Sequence, residues 1–164
     1  EEMKTEPIIL GENEFGDLRL YKDRKATEDT IVAGLSEFNI TSKVGRQDGP
    51  DYTYYSVSTD TGEVAMVKMM DEDKEMIDRI LVNADHIHDE YGAYKGMSYT
   101  DLKTLRPGLE IMVDDHYQVY LSEVGSPCGY LISGEFEGPD KREWTDEELV
   151  TWQIEKLIWF NPEF

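Results

Sequence analysis

From Cys128 to Phe160 the chain reads as an apolar run, a polar turn, a capped helix start and a second apolar run, and it holds all three tryptophans. Two of these parts must lie against a core, so this stretch limits the fold more than any other. Tyr130 to Ile132 lies between Gly129 and Gly134 and is too brief for a helix, which predicts a buried strand. Gly138-Pro139 then punctuates a turn. Thr145 stands three residues before Glu148, the spacing of a capping box, and Trp144 and Leu149 flank it as a hydrophobic staple would. A helix is therefore predicted to start at Asp146. It is expected to last two turns at most, because the β-branched and aromatic residues that follow favour a closing strand.

The remainder supports one ordinary domain over 8–164 preceded by a loose arm over 1–7, since the chain is long enough to bury a core without staples. Ile8 to Leu10 and Leu18 to Leu20 suggest short strands around the Gly11 to Gly16 turn. A helix is expected from Glu28 to Phe38, capped by Thr27, with Ile31, Leu35 and Phe38 on one face. Ile40 to Arg46, Tyr52 to Thr59 and Glu63 to Met70 read as antiparallel strands, with a tight hairpin at Asp60-Thr61-Gly62. Ser98 and Asp101 mark a second helix, which Pro107-Gly108 stops. Leu109 to Val113 and Tyr117 to Leu121 are strands about an Asp114-Asp115 turn. The fold class is α+β, a mainly antiparallel sheet with two or three short helices. A capped helix followed by strands occurs twice, which allows two degenerate units sharing one sheet or lying side by side, or chance recurrence of a common motif.

Acidic residues outnumber basic ones 36 to 16, for a formal charge of −20. That balance disfavours nucleic acid and anionic membrane surfaces as partners. The acids are spread along the chain, as on a solvated surface that keeps a protein soluble. No apolar run approaches the ~20 residues of a membrane span. Cys128 is the sole cysteine, so no internal disulfide forms, and it is expected to pack as a small buried side chain.

Few residues suggest chemistry. In Asp85-His86-Ile87-His88-Asp89, strand geometry would put both imidazoles on one face, where His116 could join them as a third metal ligand. The bland alternative is a pair of exposed histidines at a strand end. Asp71 to Glu75 lacks the glycine that a calcium loop needs at its sixth position, where Met76 stands. The serine of Gly125-Ser126-Pro127-Cys128-Gly129 is out of register for a nucleophile elbow. There is no phosphate-cradling or dinucleotide glycine motif, so no cofactor is expected. The tyrosines between 52 and 99 are more than a core requires, and tyrosine combines apolar area with a polar tip as recognition surfaces do.

The order Tyr130, Gly134, Gly138-Pro139, Asp146, Leu149, Trp152, Ile154 and Leu157-Ile158-Trp159 resembles the C-terminal signature of a family of small bacterial envelope lipoproteins controlled by the envelope-stress sigma factor. The likeness extends upstream through Val64-Ala65-Met66-Val67, Ile77 to Val82 and Gly92 to Leu102; the first 50 residues match in general pattern only. The resemblance implies a one-domain, periplasm-facing lipoprotein of unknown molecular function, held to the membrane by a lipid upstream of residue 1. It implies no dependence on histidines here. It also favours a strand over Ile77 to Val82, where Met76, Ile77, Ile80, Leu81 and Ala84 fit a helix equally well. The expected function is non-enzymatic binding of an envelope protein or other envelope component, through a sheet face or the loop bearing Tyr91, Tyr94 and Met97. The alternative is a metal-binding or metal-dependent hydrolytic protein using His86, His88 and His116. The oligomeric state does not follow from these residues.

Overall fold

The structure is a computed structural model and describes residues 8–20, 25–46, 49–71 and 73–162. The expected arm over 1–7 lies outside the described residues. The α+β reading holds: twelve strands and three short helices are present among the described residues. The larger sheet is wholly antiparallel and comprises β4 (Asn39–Gly45), β5 (Tyr52–Thr59), β6 (Gly62–Met69), β7 (Ile77–Val82), β9 (Glu110–Val113), β10 (Val119–Ser122), β11 (Cys128–Ser133) and β12 (Gln153–Phe160). Its order is β4-β5-β6-β7-β12-β11-β10-β9. Helix α1 (Glu28–Gly34) precedes the first four of these strands, and α2 (Tyr99–Leu105) precedes the second four. Each unit begins at an outer edge and ends at the centre, so the two helix-then-strands units share one sheet, meeting where β7 pairs with β12. The 77–82 segment is a strand, in agreement with the resemblance.

A single row of opposed residues runs across all eight strands: Ile40, Val57, Ala65, Val82, Leu157, Tyr130, Leu121 and Ile111. The six central members are buried. Alternation along each strand turns this row to one face, where it shares a continuous core with Ile31 and Leu35 at α1, Leu102 of α2, and Leu10, Phe15 and Leu18 of a second sheet. That small sheet, β3-β2-β1-β8, is built from two-residue strands: β1 (Ile9–Leu10), β2 (Glu14–Phe15), β3 (Leu18–Arg19) and β8 (His88–Asp89). Strand β8 runs parallel to β1, tying the start of the chain to its middle.

All three caps stand where the spacing placed them. Thr27 accepts from Thr30 N–H, Ser98 from Asp101 N–H, and Thr145 and Glu148 form the reciprocal box of α3 (Asp146–Leu149). Helix α1 ends earlier than expected. Leu35 is its C-cap, and Phe38 N–H bonds the Leu35 carbonyl in a turn that leads into β4. Tyr52 and Lys68 share a cleft with His116 and Gln118. In a flat sheet β5 and β10 would stand about 24 Å apart, so the large sheet curls enough for the start of β5 and the β9–β10 turn to line one cleft.

Candidate functional site

The sequence around His88 alternates in burial: Ile87 and Asp89 point inward, His86 and His88 outward. That alternation puts a carboxylate inside the protein. Asp89 is 3% exposed and must find donors, because an unpaired buried charge is costly. Its Oδ1 accepts from the backbone N–H of Tyr91 at 3.0 Å and of Ala93 at 2.8 Å, and its Oδ2 accepts from the Tyr130 hydroxyl. Burial nevertheless dominates and raises the carboxyl's pKa, against the pull of these bonds and of Arg106.

Tyr130 comes from the central row on β11, so its ring is core while its hydroxyl is the hub of a network. Arg106, the C-cap of α2 and itself buried, donates from Nη1 to the Tyr130 oxygen and to the Cys128 carbonyl, both at 3.0 Å. Its Nη2 pairs with Glu123 at 3.0 Å. The guanidinium lies 3.9 Å from the centre of the Tyr91 ring, a cation–π stack shielded from water. Tyr91 donates its hydroxyl to Glu12 Oε1 at 2.7 Å, and Ser126 donates to the same oxygen at 3.0 Å. Trp159 Nε1 donates to the Glu12 carbonyl at 2.9 Å. Four distant segments are thereby joined behind one loop.

That loop is Tyr91 to Met97. Besides the Asp89 carboxylate, it is held by Asp89 N–H to the Ala93 carbonyl, by Gly96 N–H to the Ile154 carbonyl, and by Ile154 N–H back to the Met97 carbonyl. Ala93 is fully buried, and Met97 packs against the core. Tyr94 alone of the three candidate binding residues is exposed. Its ring lies 5.2 Å from that of His88, a tilted pair at the surface. Tyr91 is therefore the loop's anchor, Met97 its inner wall and Tyr94 its outward face.

The histidines are not gathered into one site. His86 faces Asp85 at 3.7 Å and lines a groove with Thr61, Asn83 and Lys95. His88 packs on Tyr94, whereas His116 lies in the β9–β10 turn, at the cleft shared with Tyr52. Among the described residues no three His, Cys, Asp or Glu side chains come together in a way that could hold a metal ion. Cys128 is buried, and burial, with nearby Asp89 adding to it, pushes its thiol up to about 12. A thiol held protonated in this way is a packing group.

Residues 11–161 match the family described as "Protein of unknown function (DUF1131)". The chain belongs to the DUF1131 family. The crystal structure of the uncharacterized protein yfeY from Escherichia coli is similar to this DUF1131 domain, with a TM-score of 0.72 and 22% sequence identity. The similarity covers 93% of this chain and 99% of that one, and at such identity it shows a common fold alone. No curated protein matches the chain. The Asp89–Tyr130–Arg106 network of the DUF1131 domain was not foreseen from sequence. Asp89 reads there as one more acid beside two histidines, and Arg106 is simply the residue before the Pro107-Gly108 stop. The available signal was the burial rhythm of Ile87 and Asp89, which places the acid on the core side.

Proposed function

We propose that this protein is a non-enzymatic, envelope-facing binding domain, one globular unit over 8–164 carried on a lipid anchor upstream of residue 1. It recognises a protein or other envelope component through the Tyr91–Met97 loop, with Tyr94 and His88 as the contact face. The observation that carries the reading is the buried Asp89 carboxylate, which fixes two amides of the loop and is itself fixed by Tyr130. A loop held in this way loses little conformational freedom on binding, so more of its contact energy becomes affinity. Cys128, Asp89 and Tyr130 support a binding role too, since they face inward and are engaged with one another or with the core. Envelope location, lipid attachment and control by the envelope-stress sigma factor rest on the resemblance of the 130–159 signature.

The test is site-specific photo-crosslinking in cells, with a photoreactive residue at Tyr94 and, as a control, at the exposed Val44 on the edge strand β4. The expected result is one discrete adduct from position 94 in the envelope fraction, absent from position 44. No adduct, or turnover of ester or phosphoester substrates by the purified protein, would overturn the proposal.

A further inference from the structure

The segment between β11 and β12 carries a second surface, independent of the tyrosine loop. Phe136 and Trp144 meet edge to face at 4.7 Å between centroids, and Trp144 and Trp152 follow at 4.8 Å. Phe136 is 41% exposed. Gly134 is needed here because a Cβ at that position would enter the Trp152 ring. The indole Nε1 atoms of Trp144 and Trp152 are buried and have no hydrogen-bond partner among the described residues.

A cation already sits on this group. Lys141 Nζ lies 4.8 Å from the Phe136 centroid and 4.5 Å from that of Trp144. It also pairs with Glu148 Oε2. The other oxygen, Oε1, accepts from the Thr145 N–H at 3.1 Å as half of the capping box. The cap thus fixes the carboxylate and aims Oε2 at the position where the ammonium sits. Two aromatic rings and a prealigned carboxylate are the parts of a lysine-recognition site.

The surroundings fit a cationic visitor. Residues 135–148 carry seven carboxylates against Lys141 and Arg142. Arg142 is turned elsewhere, over the Tyr117 ring and toward the Asp114 carbonyl. Lys141 is therefore the one cation of this segment on the aromatic group, and it is tethered there by the chain itself.

We propose that Phe136, Trp144 and Glu148 form a docking site for a basic segment of a partner protein, and that a lysine of that segment takes the place Lys141 holds in the free chain. The inference goes beyond the tyrosine-loop reading and does not depend on it. Lys141 acts as an internal competitor: it keeps the aromatic pair covered until a multivalent basic segment, drawn by the acidic rim, displaces it.

The probe is a tetralysine peptide, titrated against the intact protein at about 0.15 M salt while tryptophan fluorescence is followed, Trp144 being in the site and Trp152 packed behind it. The charge-neutral changes Trp144→Leu and, at an exposed position with little bearing on folding, Phe136→Leu are each expected to weaken binding roughly fivefold to tenfold. Lys141→Met is expected to tighten it several-fold. Absence of saturable binding, affinity unchanged in both aromatic variants, or weaker binding by Lys141→Met would each overturn the proposal. Unchanged affinity in the aromatic variants would mean that the net charge of the protein alone attracts the peptide.

Discussion

Tyr130 stands where the core and the polar network meet, so removing one oxygen tests both. Tyr130→Phe keeps the ring in the central row but leaves Asp89 Oδ2 without its donor and Arg106 Nη1 without one of its two acceptors. The expected loss is about 2–3 kcal/mol in urea unfolding, since buried groups left unpaired cost about 1–3 kcal/mol each and partial relaxation offsets some of it. Asp89 makes a prediction of opposite character. Its pKa is raised in the fold by burial, so the native state holds that proton more tightly than the unfolded chain, whose aspartates titrate near 3.9 on average. Protonation therefore favours folding, and the stability associated with this group falls as pH rises through its folded pKa. Measured against Asp89→Asn, wild-type stability should improve as pH is lowered from about 7 toward about 4. A gap that widens in the other direction would mean that the bonds from Tyr91, Ala93 and Tyr130 outweigh burial.

Among the elements, α1 has little room to move. A Cβ on Gly34 would lie 2.9 Å from the Cα of Leu18, backbone that cannot step aside. Gly34→Ala is expected to push the helix off β3 at a cost of about 1–3 kcal/mol, whereas Gly49→Ala, in open space, should leave the denaturation midpoint unchanged. The same contrast separates what was legible in the residues from what was not. Thr27, Ser98 and Thr145 were legible because a cap is decided within four residues, and the hairpin between Thr59 and Gly62 because a turn is decided within two. Of the strands of the large sheet, β11 followed from its short apolar run between glycines and β12 from its β-branched and aromatic content. The 77–82 segment did not, because its apolar spacing suits either period, and pairing with β6 and β12 decides it. Two strands of the small sheet were legible, since short strands were expected at Ile8 to Leu10 and Leu18 to Leu20 and stand at Ile9–Leu10 and Leu18–Arg19, but its closure was not: Ile9 and Leu10 pair with His88 and Asp89 across most of the first half of the chain, and nothing local marks two residues as a parallel strand. In the candidate site, Tyr91, Tyr94 and Met97 were found by composition, but their division into anchor, outward face and inner wall depends on Asp89, whose burial only the assembled fold reveals.

At the scale of the whole molecule the formal charge of −20 works against compactness through self-repulsion. Added salt should therefore raise the thermal midpoint, with most of the gain complete by a few tenths molar, where the screening length has fallen to about 5 Å. A midpoint that does not respond would mean that the ion pairs among the described residues already offset the repulsion locally. The strand order carries a consequence for biosynthesis. Of the described strands β12 is the last to be made, and it sits at the middle, between β7 and β11, so two half-sheets wait for it as the chain leaves the ribosome. Until it arrives, the apolar strands β7 and β11 are open edges, the kind that recruit another chain. A message cut short before residue 153 would yield two aggregation-prone halves instead of a shortened domain. If two nascent copies met at that stage, each could lend its final strand to the other and produce an exchanged dimer with every native pairing intact.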